Sequence, residues 1–273
     1  LKILIVCGLL SAAAFVARGQ DNYADTVVSY VSGTGSAATQ HSTYQSPAVA
    51  LGAPASSSTI SAPAYSTSEL CVLNAGGELT LGFNSPITNN PAGHADGMDF
   101  TIFGNEFFVG GSPISGTYDH PGLTVWVSQD DVNFYELDVP NGYGADDSFP
   151  TESSGNPFLP VSPALTLSSF VGESTTQALS LYNGSAGGAS FSISWAVDAE
   201  GNPVDLSSIN EIEIEGPNPA AVAAGDTYGL VDAVTRVESV PEPSCAALVF
   251  ASIGLLAIFR RRHLDVKGMF IRK

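Results

Sequence analysis

Glu78-Leu79-Thr80-Leu81-Gly82-Phe83 places Leu79, Leu81 and Phe83 on one side of an extended chain and Glu78, Thr80 and Gly82 on the other. A period of two belongs to a strand with one face on a core. Asn210 to Glu215 repeats the pattern, with Ile212 and Ile214 against Glu211, Glu213 and Glu215. Ser190 to Val197 reads the same way, with Phe191, Ile193, Trp195 and Val197 inward and the serines outward. Further strands are expected at Thr26 to Val31, Glu69 to Leu73, Asp99 to Phe103, Leu123 to Ser128, Asn133 to Asp138 and Leu230 to Val237. Short alternating runs separated by Gly, Asn and Pro predict an all-β fold, an antiparallel sandwich. Ser32 to Ser68 and Tyr143 to Gln177 interrupt the pattern and read as long surface loops. No long amphipathic helix is expected outside the termini.

Charge divides the chain into segments. The 273 residues hold 27 acidic and 9 basic groups, a formal net charge of −18. Only Glu242 and Asp265 of the acids fall outside residues 21–239, which leaves 25 there, and Arg236 is the one Lys or Arg in that span. The body therefore carries about −24, and the basic residues belong to the ends. Such a body repels phosphate, so nucleic acid is excluded as a partner. Cys71 is the body's single cysteine, which rules out an internal disulfide there. About 220 residues are ample for one core.

The ends read as addresses. Residues 1–20 carry Lys2, an uncharged apolar stretch from Ile3 to Val16, and Ala17-Arg18-Gly19, the layout of a secretory signal peptide cut by signal peptidase. At the other end, Val240-Pro241-Glu242-Pro243 precedes the uncharged run Ser244 to Phe259, which ends at Arg260-Arg261-Arg262. As a helix those 16 residues reach about 24 Å at ~1.5 Å per residue, a short transmembrane helix extended by snorkelling arginines. The arginine block places the tail in the cytoplasm and the body outside. The order of proline-flanked glutamate, short apolar helix and basic cluster resembles the PEP-CTERM sorting signal. That resemblance implies an exosortase substrate, anchored in the inner membrane before processing and then sorted to the cell surface or beyond. The expected organisation is a signal peptide (1–20), an extracellular β-sandwich domain (21–239), a sorting and anchor segment (240–262) and a cytoplasmic tail (263–273).

The body has a resemblance of its own. Tyr44 to Pro54, Gly76 to Phe83, Asp99 to Phe108, Val127 to Phe134 and Ser194 to Pro203 are similar to segments of exported bacterial proteins that often carry this sorting signal and are described as cell-surface proteins. The likeness implies a jelly-roll or galactose-binding-like sandwich and brings no activity with it.

Three kinds of chemistry are open to such a body. Catalytic signatures are scarce: no G-x-S-x-G, HExxH, P-loop or CxxC occurs. His41, His94 and His120 are widely spaced and read as exposed loop residues, and Asp130-Asp131 and Asp146-Asp147 as turn acids. Calcium suits an acidic exported domain, since it takes six to eight oxygen ligands. Asp96, Asp99, Glu106 and Asp232 are the metal candidates. Asp232 stands out because it falls inside the apolar run Leu230-Val231-Asp232-Ala233-Val234, where an unpaired carboxylate is costly. Capping of turns and strand ends is the alternative role for these acids. Phe107, Phe108, Tyr118, Trp126, Tyr135 and Tyr143 are candidates for a sugar-stacking platform. The leading expectation is a non-enzymatic exported surface or matrix protein, structural or adhesive, with exopolysaccharide as a partner. A calcium-dependent carbohydrate-binding module is the alternative, and a glycan-active enzyme the third reading.

Overall fold

The structure, a computed structural model, describes residues 22–34, 42–118, 123–140, 148–218 and 228–239. The sorting residues Val240, Pro241, Glu242, Pro243, Arg260, Arg261 and Arg262 lie outside them, as do the signal segment and the apolar run before the arginines. Among the described residues no helix is long and apolar enough to cross a membrane.

Thirteen strands and one α-helix order the described chain. They are β1 (Thr26–Val31), β2 (Cys71–Asn74), β3 (Glu78–Thr88), β4 (Phe100–Phe103), β5 (Phe107–Val109), β6 (Gly116–Tyr118), β7 (Thr124–Ser128) and β8 (Phe134–Leu137). After them come α1 (Thr175–Tyr182), β9 (Ala189–Phe191), β10 (Ala196–Val197), β11 (Ser208–Glu215), β12 (Tyr228–Val231) and β13 (Ala233–Arg236). A six-stranded sheet runs β1-β3-β11-β7-β8-β10, and its ladders are antiparallel. Smaller antiparallel sheets pair β13-β4-β9, β12-β2 and β5-β6.

Alternation explains how the layers meet. Ile212 lies opposite Leu81 and Val127, and Ile214 opposite Leu79 and Val125, so the central strands present one apolar face. That face meets Leu73 and Val231 from β2 and β12, and Phe100, Ile102, Phe191 and Val234 from the three-stranded sheet, in one buried cluster. The arrangement is mostly β with a single helix, consistent with an all-β sandwich. On the other face Glu211, Glu213 and Glu215 stay half-buried, and Trp126 donates its Nε1–H to Glu215 Oε2 at 3.0 Å.

Three sequence expectations need correction. Ser190 to Val197 is not one alternating strand: β9 ends at Phe191, a 3-10 turn covers Ile193–Trp195, and β10 follows. Ser190 and Ser192 are buried because their hydroxyls have partners, Thr101 Oγ1 at 2.7 Å for Ser190 and Asp99 Oδ2 at 3.4 Å for Ser192. Leu230 to Val237 is two strands in different sheets, broken at Asp232. The two interrupting stretches are not inert surface. Ile60 from the first joins Phe149, Val161 and Phe170 from the second in a second buried cluster with Phe108, Ile114, Ala178 and Tyr182. Helix α1 closes this cluster. Its start is a capping box, in which Ser174 Oγ accepts the Gln177 N–H and Gln177 Oε1 accepts the Ser174 N–H.

Phe170 and Val171 test this second core side by side, since Phe170 is fully buried and Val171 is 54% exposed. Phe170→Ala is expected to cost about 3–5 kcal/mol of unfolding free energy, and Val171→Ala about 0.5 kcal/mol or less. Urea titration measures both. Equal small effects would show that this segment does not pack as part of the folded unit.

Candidate functional site

Three residues between β4 and β5, Gly104-Asn105-Glu106, together with Phe107 at the start of β5, form a wall with two sides. Gly104 and Glu106 line an inner cavity with Ser148, Leu123 and Phe191. Asn105 and Phe107 line an outer cleft of about 250 Å³. Leu230 on β12 contributes to both.

The outer cleft is built from rings. Phe107 and Tyr118 face each other across the β5-β6 ladder, with centroids 5.1 Å apart and planes 24° from parallel. Tyr65 stands on the cleft with 62% of its surface exposed, and Tyr118 with 41%. The hydroxyl of Tyr44 donates to the Tyr65 carbonyl at 2.8 Å, which ties these two parts of the lining together. Leu70, Tyr228 and Leu230 complete the lining. They are buried with Ala55, Ala64 and Val72 in a third apolar cluster, so the cleft is seated on packed side chains.

The inner cavity holds a carboxyl under a different constraint. Glu106 is buried, and Ser148 Oγ donates to its Oε2 at 3.0 Å. Burial pushes its carboxyl up to about 7, against the hydrogen bonds that favour the charge. Gly104 is needed beside it: a Cβ there would come within 2.7 Å of both Glu106 oxygens and 2.8 Å of the Leu230 carbonyl. Asp232, at the break between β12 and β13, accepts the Ala55 N–H at 2.8 Å through Oδ2. Burial raises its carboxyl to about 7 as well, and the charges of Glu69 and Glu106 add to the rise.

The four metal candidates do not assemble. Asp99 has its own partners: its Oδ1 lies 2.7 Å from His94 Nδ1 and accepts the Asn90 N–H, and its Oδ2 accepts the Ile193 N–H at 2.8 Å. Asp96 sits in a short turn in left-handed backbone, at φ 53°. Glu106 and Asp232 bond to Ser148 and Ala55 as described. Among the described residues no group of three or more His, Cys, Asp or Glu is placed to hold a metal. For Asp99, Glu106 and Asp232 the physical reason is that backbone N–H, ring and hydroxyl donors take up each carboxylate separately.

The remaining candidates sort by burial. His94 is buried against Asp99 rather than exposed, whereas His41, His120, Tyr143 and Asp146-Asp147 lie outside the described residues. Asp130 accepts the N–H groups of Val132 and Asn133, a turn-forming role, and the Asn133 bonds hold its carboxyl below the usual range. Among the expected platform aromatics, Phe107 and Tyr118 meet in the cleft. Phe108 is in the second core, Tyr135 packs against the main core, and Trp126 lies on the outer sheet face. Sequence reading did not connect Tyr44, Tyr65, Asn105 and Tyr228 to the site. They are scattered along the chain and share no period, and only the resembling segments Tyr44 to Pro54 and Asp99 to Phe108 touched two of them, Tyr44 and Asn105. No protein-family model matches the chain, and no curated protein does.

Glu106, Asp232 and Glu213, the last also raised to about 7 mainly by burial, give a pH dependence with a definite sign. Their ordinary values are 4.5, 3.8 and 4.5. Between those values and about 7 the folded state holds protons that the unfolded chain has released. Stability therefore falls as pH rises through that window and levels off above it. The melting midpoint is expected to drop between about pH 5 and 7.5, and Glu106→Gln to flatten part of the slope. A midpoint that holds steady or climbs over the same window would refute this. Melting in calcium and in chelator is expected to give the same midpoint, and a rise with calcium would overturn that expectation and return the four carboxylates as candidates.

Proposed function

We propose that the chain is an exported, non-enzymatic surface or matrix protein that adheres to extracellular polysaccharide through the aromatic cleft. The observation that carries this reading is the stacked Phe107–Tyr118 pair facing one cavity with the open ring of Tyr65. A pyranose ring has C–H faces that pack on aromatic rings and a rim of hydroxyls that hydrogen-bond. The cleft offers the matching mixture: apolar rings and leucines, with Asn105 and tyrosyl oxygens as its polar side-chain atoms.

The cleft chemistry favours binding over hydrolysis. Among the described residues lining it there is no carboxylate, histidine, lysine or thiol. Hydrolysis of a glycosidic bond calls for two carboxyl groups flanking that bond. Glu106, which falls between the lining residues Asn105 and Phe107, lines the inner cavity instead.

Export is the second part of the proposal. The basic residues cluster at the two ends, beside an apolar stretch at residues 3–16 and another at 244–259. With Val240-Pro241-Glu242-Pro243 and the arginine block, this supports passage through signal peptidase and an exosortase. An antiparallel sandwich with a cleft at its edge also suits the jelly-roll or galactose-binding-like class that the body's segments resemble.

The binding half is tested with the full chain, held in a zwitterionic detergent so that no sugar-based detergent competes, on an array of polysaccharides and oligosaccharides. Capture of at least one glycan is expected. Phe107→Ala and Tyr118→Ala are each expected to weaken it about tenfold, which corresponds to roughly 1.4 kcal/mol. Retention equal to the unaltered chain in both variants would sink the cleft as the binding site.

A further inference from the structure

We infer that the cleft is a one-ring site for an uncharged pyranose, presented at the end or on a side branch of a neutral polysaccharide. The inference rests on the polysaccharide reading above and narrows it by size and charge.

Size comes first. At about 250 Å³ the cavity lies below the ~300–1,000 Å³ of most small-molecule sites. Five of its eight described lining residues carry aromatic rings. Phe107 and Tyr118 form a stacked pair, Tyr65 is largely exposed, and Leu70 and Leu230 belong to the packed third cluster. A long internal stretch of polymer needs aromatic surfaces spaced along an open groove. A cavity of this volume has room for about one sugar ring, so the unit that enters has to be free on one side.

Charge narrows the class further. Among the described residues no Lys, Arg or His lines the cleft. Arg236, the body's one arginine, donates to the carbonyls of Ser85 and Pro86 and lies 5.4 Å from the Phe83 ring centroid, so it is employed elsewhere. Glu69 precedes Leu70 of the lining, and the body around the cleft carries a formal charge of about −24. A uronate, sulfate or phosphate group brought there finds no cation among the described lining residues and meets the field of an acidic body. That field is screened only over a Debye length of about 8 Å at physiological salt.

The test uses the full chain in zwitterionic detergent with three sets of competitors. The first is the methyl glycosides of glucose, galactose and mannose; the second is neutral oligosaccharides of the same sugars; the third is glucuronic and galacturonic acid. The expected result is that one neutral methyl glycoside competes within about threefold of its oligosaccharides, while its uronic acid counterpart is at least tenfold weaker. Tyr65→Ala, at an exposed position, is expected to weaken the neutral glycoside and leave the melting midpoint unchanged. A uronic acid that competes equally well, or affinity that climbs more than tenfold as the chain lengthens, would overturn the one-ring neutral assignment and leave the adhesion reading standing. Binding of no glycan at all would overturn both. Neutral binding unaffected by Tyr65→Ala, Phe107→Ala and Tyr118→Ala would move the site elsewhere and overturn the assignment to this cleft.

Discussion

With 25 carboxylates and one arginine between residues 21 and 239, this fold has almost no cations with which to neutralise buried acids. Backbone N–H groups and hydroxyls take that role. Asp99 is held by two backbone amides and the His94 ring, Asp232 by the Ala55 amide, and Glu106 by the Ser148 hydroxyl. The same rule shapes the surface, where Asp130 and Asp198 close turns by accepting the N–H groups of residues two to four positions on. An isolated buried carboxylate costs far more than a hydrogen-bonded one, so each of these acids fixes the segment that supplies its donor. Asp232 ties the loop at Ala55 to the strand break, and Asp99 ties β4 to the turn after β9. Segments rich in Ser, Gly and Pro, with few apolar residues of their own, are thereby pinned against the sheets.

That dependence marks where the sequence was legible. Strands with one core face and one outer face were read well. β1 spans Thr26 to Val31 as expected, and β3 and β11 contain the quoted alternating runs with their Leu and Ile residues buried. Alternation failed where a polar side chain goes inward with a partner. Ser190 and Ser192 look outward-facing in a pattern, yet each is buried by a bond to a residue some ninety positions away. The loops were misread for a related reason. Phe149, Val161 and Phe170 are too far apart to show a period, and they form a core only because α1 and the Ile60 segment converge on them. The capping box at Ser174 and Gln177 was the local sign of that helix.

The candidate site was legible only in part, and the division has a physical cause. Phe107 and Tyr118 are directly paired across one short hairpin, so nearness in sequence and nearness in space agree. Tyr44, Tyr65 and Tyr228 reach the same cleft by long-range routes: the β2-β12 ladder brings Tyr228 opposite Asn74, and the Tyr44 hydroxyl bonds back to Tyr65. No local pattern encodes such meetings. The four carboxylates proposed as one cation site illustrate the converse. Their residue types fit calcium, but chemistry alone does not bring side chains together, and Asp99, Glu106 and Asp232 each have a donor of their own.

The wall from Gly104 to Phe107 links these themes. Its alternation sends Asn105 and Phe107 to the aromatic cleft and Glu106 to the inner cavity, so the position of the binding rings depends on how a buried acid is accommodated behind them. Gly104 leaves room for both Glu106 oxygens and for the Leu230 carbonyl, and no larger residue fits without moving them. A carboxyl that burial raises to about 7 can remain there without a cation. The scarcity of positive charge in the body therefore sets the way this inner wall is built. A lysine or arginine introduced to pair with Glu106 would fix the wall by another means and, if the cleft binds neutral sugars as proposed, would also bring a cation towards it and weaken that preference.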